Sequence, residues 1–248
     1  MKTLMITFVY NELKYLPHTI EYYKKNGCDV YIIDNYSKDG TYEWLVENNI
    51  PCHRLDTNES FHVQLLEADL MRTVHRIKPD WVIFGSADLY HVTEIPISEY
   101  IEKVDSLGFN QLRLPCISAI NVDEIYNLPM PKHQNYGLYY KPLTMISKYN
   151  ENLYLGGDDF FVNNAKPFTS DEGVSINYGP CKPNKDQDVK LERTRKAHAN
   201  GMHPLLSVHY EKGKKLDWKF PKNIFGDKIF ELKDSKYWNY ILKIREID

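Results

Sequence analysis

Short apolar runs alternate along this chain with stretches in which apolar residues return every three or four positions. Residues 6–9, Ile-Thr-Phe-Val, and residues 30–33, Val-Tyr-Ile-Ile, read as two strands, and Ile20, Tyr22 and Tyr23 between them form the apolar side of a helix. A strand, helix and strand in that order make a right-handed parallel crossover, which brings the carboxyl ends of both strands to one rim. Pro51–Leu55 predicts a short third strand. Leu66, Leu70, Val74 and Ile77 give Val63–Ile77 the spacing of a helix, which Pro79-Asp80 breaks. Trp81–Gly85 is a buried strand. Ile97, Tyr100, Ile101, Val104 and Leu107 mark an amphipathic helix closed by Gly108, and Asn110–Leu114 is the next strand. From Pro115 to Lys141 the pattern dissolves into a long loop rich in Pro, Asn and Tyr. Residues 179–201 concentrate Lys182, Lys185, Lys190, Arg193, Arg195 and Lys196, and read as a mobile or acceptor-facing loop entering a short helix, or as a solvated charge run. Residues 235–247 place Trp238, Ile241 and Leu242 on one helical side, to pack on their own domain or to rest on an anionic surface.

Polar groups end the first two strands. Tyr10-Asn11-Glu12 follows one, and Asp34-Asn35-Tyr36-Ser37-Lys38-Asp39-Gly40-Thr41 follows the other. In open α/β sheets ligands bind outside such carboxyl ends. Tyr10 can stack on a base, and Asp34 can accept from a base N–H or a ribose hydroxyl. Ser37 to Thr41 form a turn opening a helix, with Ser37 and Asp39 competing as its cap. Taken alone, the second motif is also readable as a plain capped turn. Together the two motifs resemble the opening of a nucleotide-sugar glycosyltransferase of the A-type fold, in the broad family 2 group. The resemblance implies an α/β, Rossmann-like nucleotide-diphospho-sugar transferase fold with a central, mostly parallel sheet flanked by helices. It also implies a nucleoside diphosphate sugar donor, UDP by preference, held by Tyr10, Glu12, Asp34 and Asp39. Residues 1–248 are read as one domain, with a nucleotide-sugar-binding half at 1–114 and an acceptor-binding half with its tail at 115–248.

The strand at residues 81–85 runs into Ser86-Ala87-Asp88-Leu89-Tyr90, where the resemblance places Asp-x-Asp followed by an acid. Two carboxylates there grip Mg²⁺ or Mn²⁺ across the donor phosphates. Here Ser86 replaces the first and Leu89 the follower, so Ser86 and Asp88 are the donor-contacting residues and Asp88 is the surviving metal ligand. His209, in Leu206-Ser207-Val208-His209-Tyr210, resembles a late His-Tyr segment of the family and is the second metal candidate. Lys214 and Lys215 after it are candidates to neutralise the leaving diphosphate. An inverting transfer also needs a base for the acceptor hydroxyl. Gly156-Gly157-Asp158-Asp159-Phe160-Phe161 sets two acids between glycines and an apolar wall, making Asp158 and Asp159 the catalytic candidates. A simple Gly-Gly-Asp turn is the competing reading, with Asp171 and Glu172 as rival bases.

Composition narrows the class further. With 42% hydrophobic and 13% aromatic residues the chain can bury a sizeable core, and a net charge of −3 exerts no general pull on nucleic acid. Cys28, Cys52, Cys116 and Cys181 are far apart, which indicates neither a zinc site nor a redox dithiol. No run approaches the roughly 20 apolar residues of a spanning helix, and a cytoplasmic location is expected. A nucleotidyltransferase needs a Gly-rich basic loop after its first strand, which Tyr10-Asn11-Glu12-Leu13 is not. The acceptor is expected to be a hydroxyl of a glycan, a lipid-linked sugar or a modified nucleic acid. The alternative to a transferase is a nucleotide-sugar-binding protein that kept the fold and lost its metal motif.

Overall fold

The computed structural model of the protein describes residues 1–120, 136–157, 159–177, 184–199, 229–231, 236 and 238–245. The first crossover is β1 (Thr3–Val9), α1 (Leu16–Lys25) and β2 (Asp29–Asp34). Next come α2 (Thr41–Glu47), β3 (Cys52–Arg54), α3 (Val63–Ile77), β4 (Trp81–Phe84), β5 (Leu89–Thr93) and α4 (Ile97–Ser106). The second half supplies β6 (Gln111–Ile120), β7 (Tyr136–Lys148), β8 (Tyr154–Gly156), β9 (Asp159–Phe161), β10 (Pro167–Thr169) and β11 (Gly173–Asn177). The described chain ends with α5 (Asn184–Ala199), β12 (Ile229–Glu231) and α6 (Trp238–Arg245).

Ten strands form one sheet along the path β3-β2-β1-β4-β7-β6-β11-β5, with β10 on β6 and β12 on β7. Pairing is parallel among β3, β2, β1 and β4, and again where β10 and β11 meet β6, whereas β7 and β5 run against their neighbours. All strands of this sheet except β5 and β7 therefore point one way. The chain winds outward from β1 through β2 to β3 and returns to β4 on the other side of β1. This reversal is the topological switch point of the sheet, and it opens a crevice at the carboxyl ends of β1 and β4.

Both faces of the parallel part are covered, which is why its strands read as continuous apolar runs. Side chains alternate across a strand. Met5, Ile32, Trp81 and Ile83 pack with Leu16, Ile20 and Tyr23 of α1 and Ile97, Ile101 and Val104 of α4. Leu4, Ile6, Ile33, Val82 and Phe84 pack on the other face with Leu70, Met71 and Val74 of α3 and with Leu155 and Phe160 of the β8–β9 hairpin.

The long loop expected over 115–141 does not occupy that whole range. β6 continues through Ile120 and β7 begins at Tyr136; the intervening 121–135 lie outside the described residues. Pro115 misled the reading. The β6–β7 register shifts on both sides of Leu114, and a bulge is where a strand accepts a proline that has no N–H to give. The charged stretch at 179–201 includes a 16-residue helix, α5. Cys28 and Cys116 are buried free thiols and Cys52 is half-buried; Cys181 lies outside the described residues. Burial pushes the Cys28 thiol up to about 12, which makes it inert. No helix among the described residues is long and apolar enough to cross a membrane.

His91, at the centre of β5, is fully buried. Its Nε2–H donates to the Phe84 carbonyl at 3.1 Å, so Nδ1 accepts from the Ser175 hydroxyl at 2.7 Å. Burial holds the imidazole neutral and lowers its pKa to about 4. The unfolded chain takes up that proton near pH 6.5, about 2.5 units earlier. Stability is therefore full above about pH 6.5 and falls by up to about 3 kcal/mol as the pH drops through about 4. Denaturant midpoints between about pH 7.5 and about pH 4.5 test this, with His91→Gln expected to flatten the dependence. An identical slope in that variant would remove His91 as its source.

Candidate functional site at the switch point

The loops that follow β1 and β2 are fastened to each other. The Asn11 N–H donates to Ser37 Oγ at 2.8 Å and the Lys38 N–H to Asn11 Oδ1 at 2.8 Å. The Glu12 N–H donates to Thr41 Oγ1 at 3.0 Å and the Leu13 N–H to Asp39 Oδ2 at 3.1 Å. Asn11 sits at φ +55°, a left-handed conformation that asparagine tolerates better than most residues. Tyr10 and Glu12 are half-buried at this rim, and the Glu12 carbonyl accepts from Tyr15 and Leu16 to start α1.

The carboxylates of Asp34 and Asp39 are both engaged by the protein itself. Asp39 Oδ1 accepts from the Thr41 N–H at 3.0 Å and from the Thr41 hydroxyl, while Oδ2 holds Leu13, so its carboxylate staples the turn. Asp34 is 0% exposed. It accepts from the Ser37 N–H at 3.1 Å and from Arg54 Nε at 3.0 Å. Arg54 in turn lies between the rings of Tyr42 and Tyr36, 4.1 and 5.0 Å from their centroids. The neighbouring residue, Asn35, is buried as well. Its amide donates to the Leu55 carbonyl at 2.8 Å and to Thr57 Oγ1 at 2.9 Å.

The turn between β4 and β5 is set from below by α1. Thr19 Oγ1 donates to the Ala87 carbonyl at 2.7 Å, and the Tyr23 hydroxyl donates to the Leu89 carbonyl at 3.1 Å. With Ala87 and Leu89 drawn into the core, Ser86 and Asp88 are the half-buried residues between them, and the Ser86 hydroxyl donates to the Asp88 carboxylate. Leu89 is buried as the first residue of β5. Among the described residues no group of three or more His, Cys, Asp or Glu side chains gathers as metal ligands. The described residues thus supply one carboxylate, Asp88, and do not by themselves fit a divalent-cation site. His209, Lys214 and Lys215 lie outside the described residues, as does Asp158.

Asp159 reaches the same rim from the second half. β7 pairs antiparallel with β4, Ile146 opposite Ile83, and two residues further along this register Thr144 stands level with Gly85. The Thr144 N–H donates to Asp159 Oδ1. The hairpin carrying Asp159 is also tied to α3, through the Gly157 N–H to Glu67 Oε1 at 2.9 Å. Asp171 and Glu172 are elsewhere. They precede Gly173, which pairs with Thr93 at the far end of β5, whereas Asn177 pairs with Leu89 beside the rim. Four residues of strand, roughly 13 Å, separate them from the crevice. Asp171 is paired with Lys236 at 3.1 Å and Glu172 accepts from the Tyr100 hydroxyl at 3.1 Å.

One residue at the crevice was not singled out from the sequence. Arg193 of α5 is 6% exposed and lies over the Tyr10 ring, 3.4 Å from its centroid. Its Nε–H donates to the Glu59 carbonyl at 3.3 Å, and Nη2 donates to the Ser60 carbonyl at 3.1 Å and to Asn35 Oδ1. The Arg193 carbonyl accepts from the Phe61 N–H at 2.9 Å. Burial lowers its pKa to about 10, against the opposing fields of Tyr10, Asp34 and Glu59. The only sequence signal was a cluster of six cations, which does not distinguish a buried one from the exposed ones.

No protein-family model and no curated protein matches the sequence. Among solved structures, the chain is similar to S. aureus TarS 1-349 in complex with UDP-GlcNAc at 12% identity, covering 86% of this chain and 70% of that one, with a TM-score of 0.43. A longer S. aureus TarS structure shows 15% identity over 86% of this chain and 42% of its own, with a TM-score of 0.41, so the chain spans less than half of it. The CMP:2-keto-3-deoxy-manno-octonic acid synthetase complexed with CTP is similar at 11% identity over 79% of this chain and 100% of that one, with a TM-score of 0.38. The strand order, the nearly uniform strand direction and the switch point between β1 and β4 make the fold of this chain the Rossmann-like α/β class that its opening motifs implied.

Proposed function

We propose that this protein is a glycosyltransferase that moves a sugar from a nucleoside diphosphate sugar to an acceptor hydroxyl with inversion. The observation that carries this reading is the convergence of Tyr10, Glu12, Ser86, Asp88 and Asp159 on the rim of one switch-point crevice, from strands far apart in sequence. The donor nucleotide lies along the β1 and β2 ends, its diphosphate toward the β4 turn. Asp159 takes the proton of the acceptor hydroxyl as its oxygen attacks the anomeric carbon. The bond from that carbon to the diphosphate oxygen breaks on the opposite side, and its electron pair leaves with the diphosphate. Lys214 or Lys215 is proposed to neutralise the leaving charge.

The test is turnover of UDP-, GDP-, CMP- and dTDP-sugars by the purified protein, with Mn²⁺ and with EDTA. Failure to hydrolyse or transfer from any of them, together with nucleotide binding, would favour the second reading. That reading is a binding protein without turnover, and Ser86 and Leu89, where the motif calls for acids, are the observations on its side. Thermal shift measures binding separately, since a ligand at about 100 times its Kd adds about 2.7 kcal/mol of stability. If Asp88 and His209 hold a cation on the diphosphate, Asp88→Asn and His209→Ala each abolish Mn²⁺-dependent donor binding and spare uridine binding. Undiminished activity in EDTA would leave the leaving-group charge to Lys214 and Lys215.

A further inference from the structure

Arg193 is a buried cation in unusual company. Buried charges are normally paired with an opposite charge. Among the described residues Arg193 instead meets two backbone carbonyls, a side-chain amide oxygen and the face of a tyrosine. The carboxylates of Asp34 and Glu59 act on it only through space. Its helix is held beside it by the Phe61 N–H to the Arg193 carbonyl at 2.9 Å, by buried Thr194 and Ala197, and weakly by an exposed ion pair, Lys196 to Glu59 at 3.4 Å. Among the described residues every contact partner of the guanidinium is a neutral acceptor or a ring face, which a ligand with the same donors can engage in its place.

What the guanidinium occupies is more telling. It is planar, and its Cζ lies over the Tyr10 ring, 3.4 Å from the centroid, where the first strand ends. Its Nε–Cζ–Nη2 edge directs three N–H donors at three acceptors, the Glu59 and Ser60 carbonyls and Asn35 Oδ1. Guanine presents the same fragment in N1–C2–N2, with one N–H on N1 and two on N2. Uracil offers a single N–H between two carbonyl oxygens, which would face acceptors. Asp34, the acceptor expected for a uracil imide, is not at this edge, because Ser37 and Arg54 engage its carboxylate beneath the surface.

We infer that the Tyr10 face, Asn35 and the Glu59–Ser60 backbone form a nucleobase slot for guanine, and that Arg193 of α5 fills it until a guanine nucleotide displaces the side chain. This names the base of the donor in the glycosyltransferase reading and rests on that reading. Occupation by Arg193 lowers the apparent affinity of the parent protein by the fraction of molecules in which the slot is open.

The experiment is calorimetric binding of GDP, UDP, CDP and ADP to the parent protein, to Arg193→Ala and to Arg193→Lys. Arg193→Ala is expected to bind GDP at least about tenfold tighter than the parent, with UDP changing by less than about threefold. Arg193→Lys, which keeps the charge and most of the stem but has no planar N–H edge, is expected to shift GDP binding in the same direction, and covers the case in which Arg193→Ala folds poorly. GDP added to the parent should speed amide exchange in residues 184–199. Weaker GDP binding in both variants, or a larger gain for UDP than for GDP, overturns the assignment and leaves the glycosyltransferase reading intact. Absence of binding to all four nucleotides in every protein overturns both.

Discussion

Asp159→Asn lowers the rate of sugar transfer by about 10²–10⁴-fold, equivalent to about 3–5 kcal/mol, while donor affinity is nearly unchanged. The substitution is conservative for structure. Oδ1 of Asp159 accepts from the Thr144 N–H, and an asparagine oxygen accepts there equally well, so the hairpin stays tied to β7. What disappears is the capacity of the carboxylate to take a proton, which matters only as the acceptor oxygen attacks. Steady-state rates with saturating donor, set beside donor binding by calorimetry, separate the two effects. A rate within about threefold of the parent would remove Asp159 as the base and turn the search to Asp158. Asp171 and Glu172, the rival bases, lie toward the other end of β5.

Asp34→Ala destabilises the fold by about 3–4 kcal/mol, well beyond what a ligand-contacting surface carboxylate costs when removed. The Ser37 N–H loses its acceptor inside the protein, and Arg54, between two tyrosine rings, loses its buried carboxylate partner and keeps only the exposed Glu43 at 3.6 Å. Asp34→Asn retains an oxygen for the Ser37 N–H and is expected to lose about half as much. Urea unfolding midpoints of the three proteins measure this. If Asp34→Ala is as stable as the parent but binds nucleotide more weakly, Asp34 contacts the base after all.

The framework of the first half was legible because its chemistry is local. The helix at Val63–Ile77 and the strand at residues 81–84 could be bounded by periodicity and by Pro79, and both faces of that strand needed apolar residues because helices cover both. The fastening of the two strand-end loops could not be read, since Asp34, Ser37, Asp39 and Thr41 look alike as caps and as ligand contacts. Only the positions of Arg54 and Leu13 show which carboxylate is engaged by the protein itself. Pro115 signalled a loop because a strand proline is rare, and the bulge that accommodates it has no signature in the sequence. Arg193 was hidden for a related reason: its burial depends on a turn about 130 residues earlier, at Glu59 and Ser60.

The place of β11 in the sheet bears on how the protein is made. This strand, from residues 173–177, lies between β6 and β5 and is the sheet partner of β5. The His91–Ser175 hydrogen bond across it spans 84 positions. A nascent chain that has emerged only to residue 114 therefore carries β5 with an open edge and His91 without its hydroxyl partner, and the turn bearing Ser86 and Asp88 hangs on that strand. Contacts of such long sequence separation form late and slowly, because chain entropy is lost before they stabilise anything. The side of the crevice that bears Ser86 and Asp88 is consequently completed by residues synthesised well after it, so that residues 1–114 expressed alone would present an unpaired strand edge, a template for aggregation.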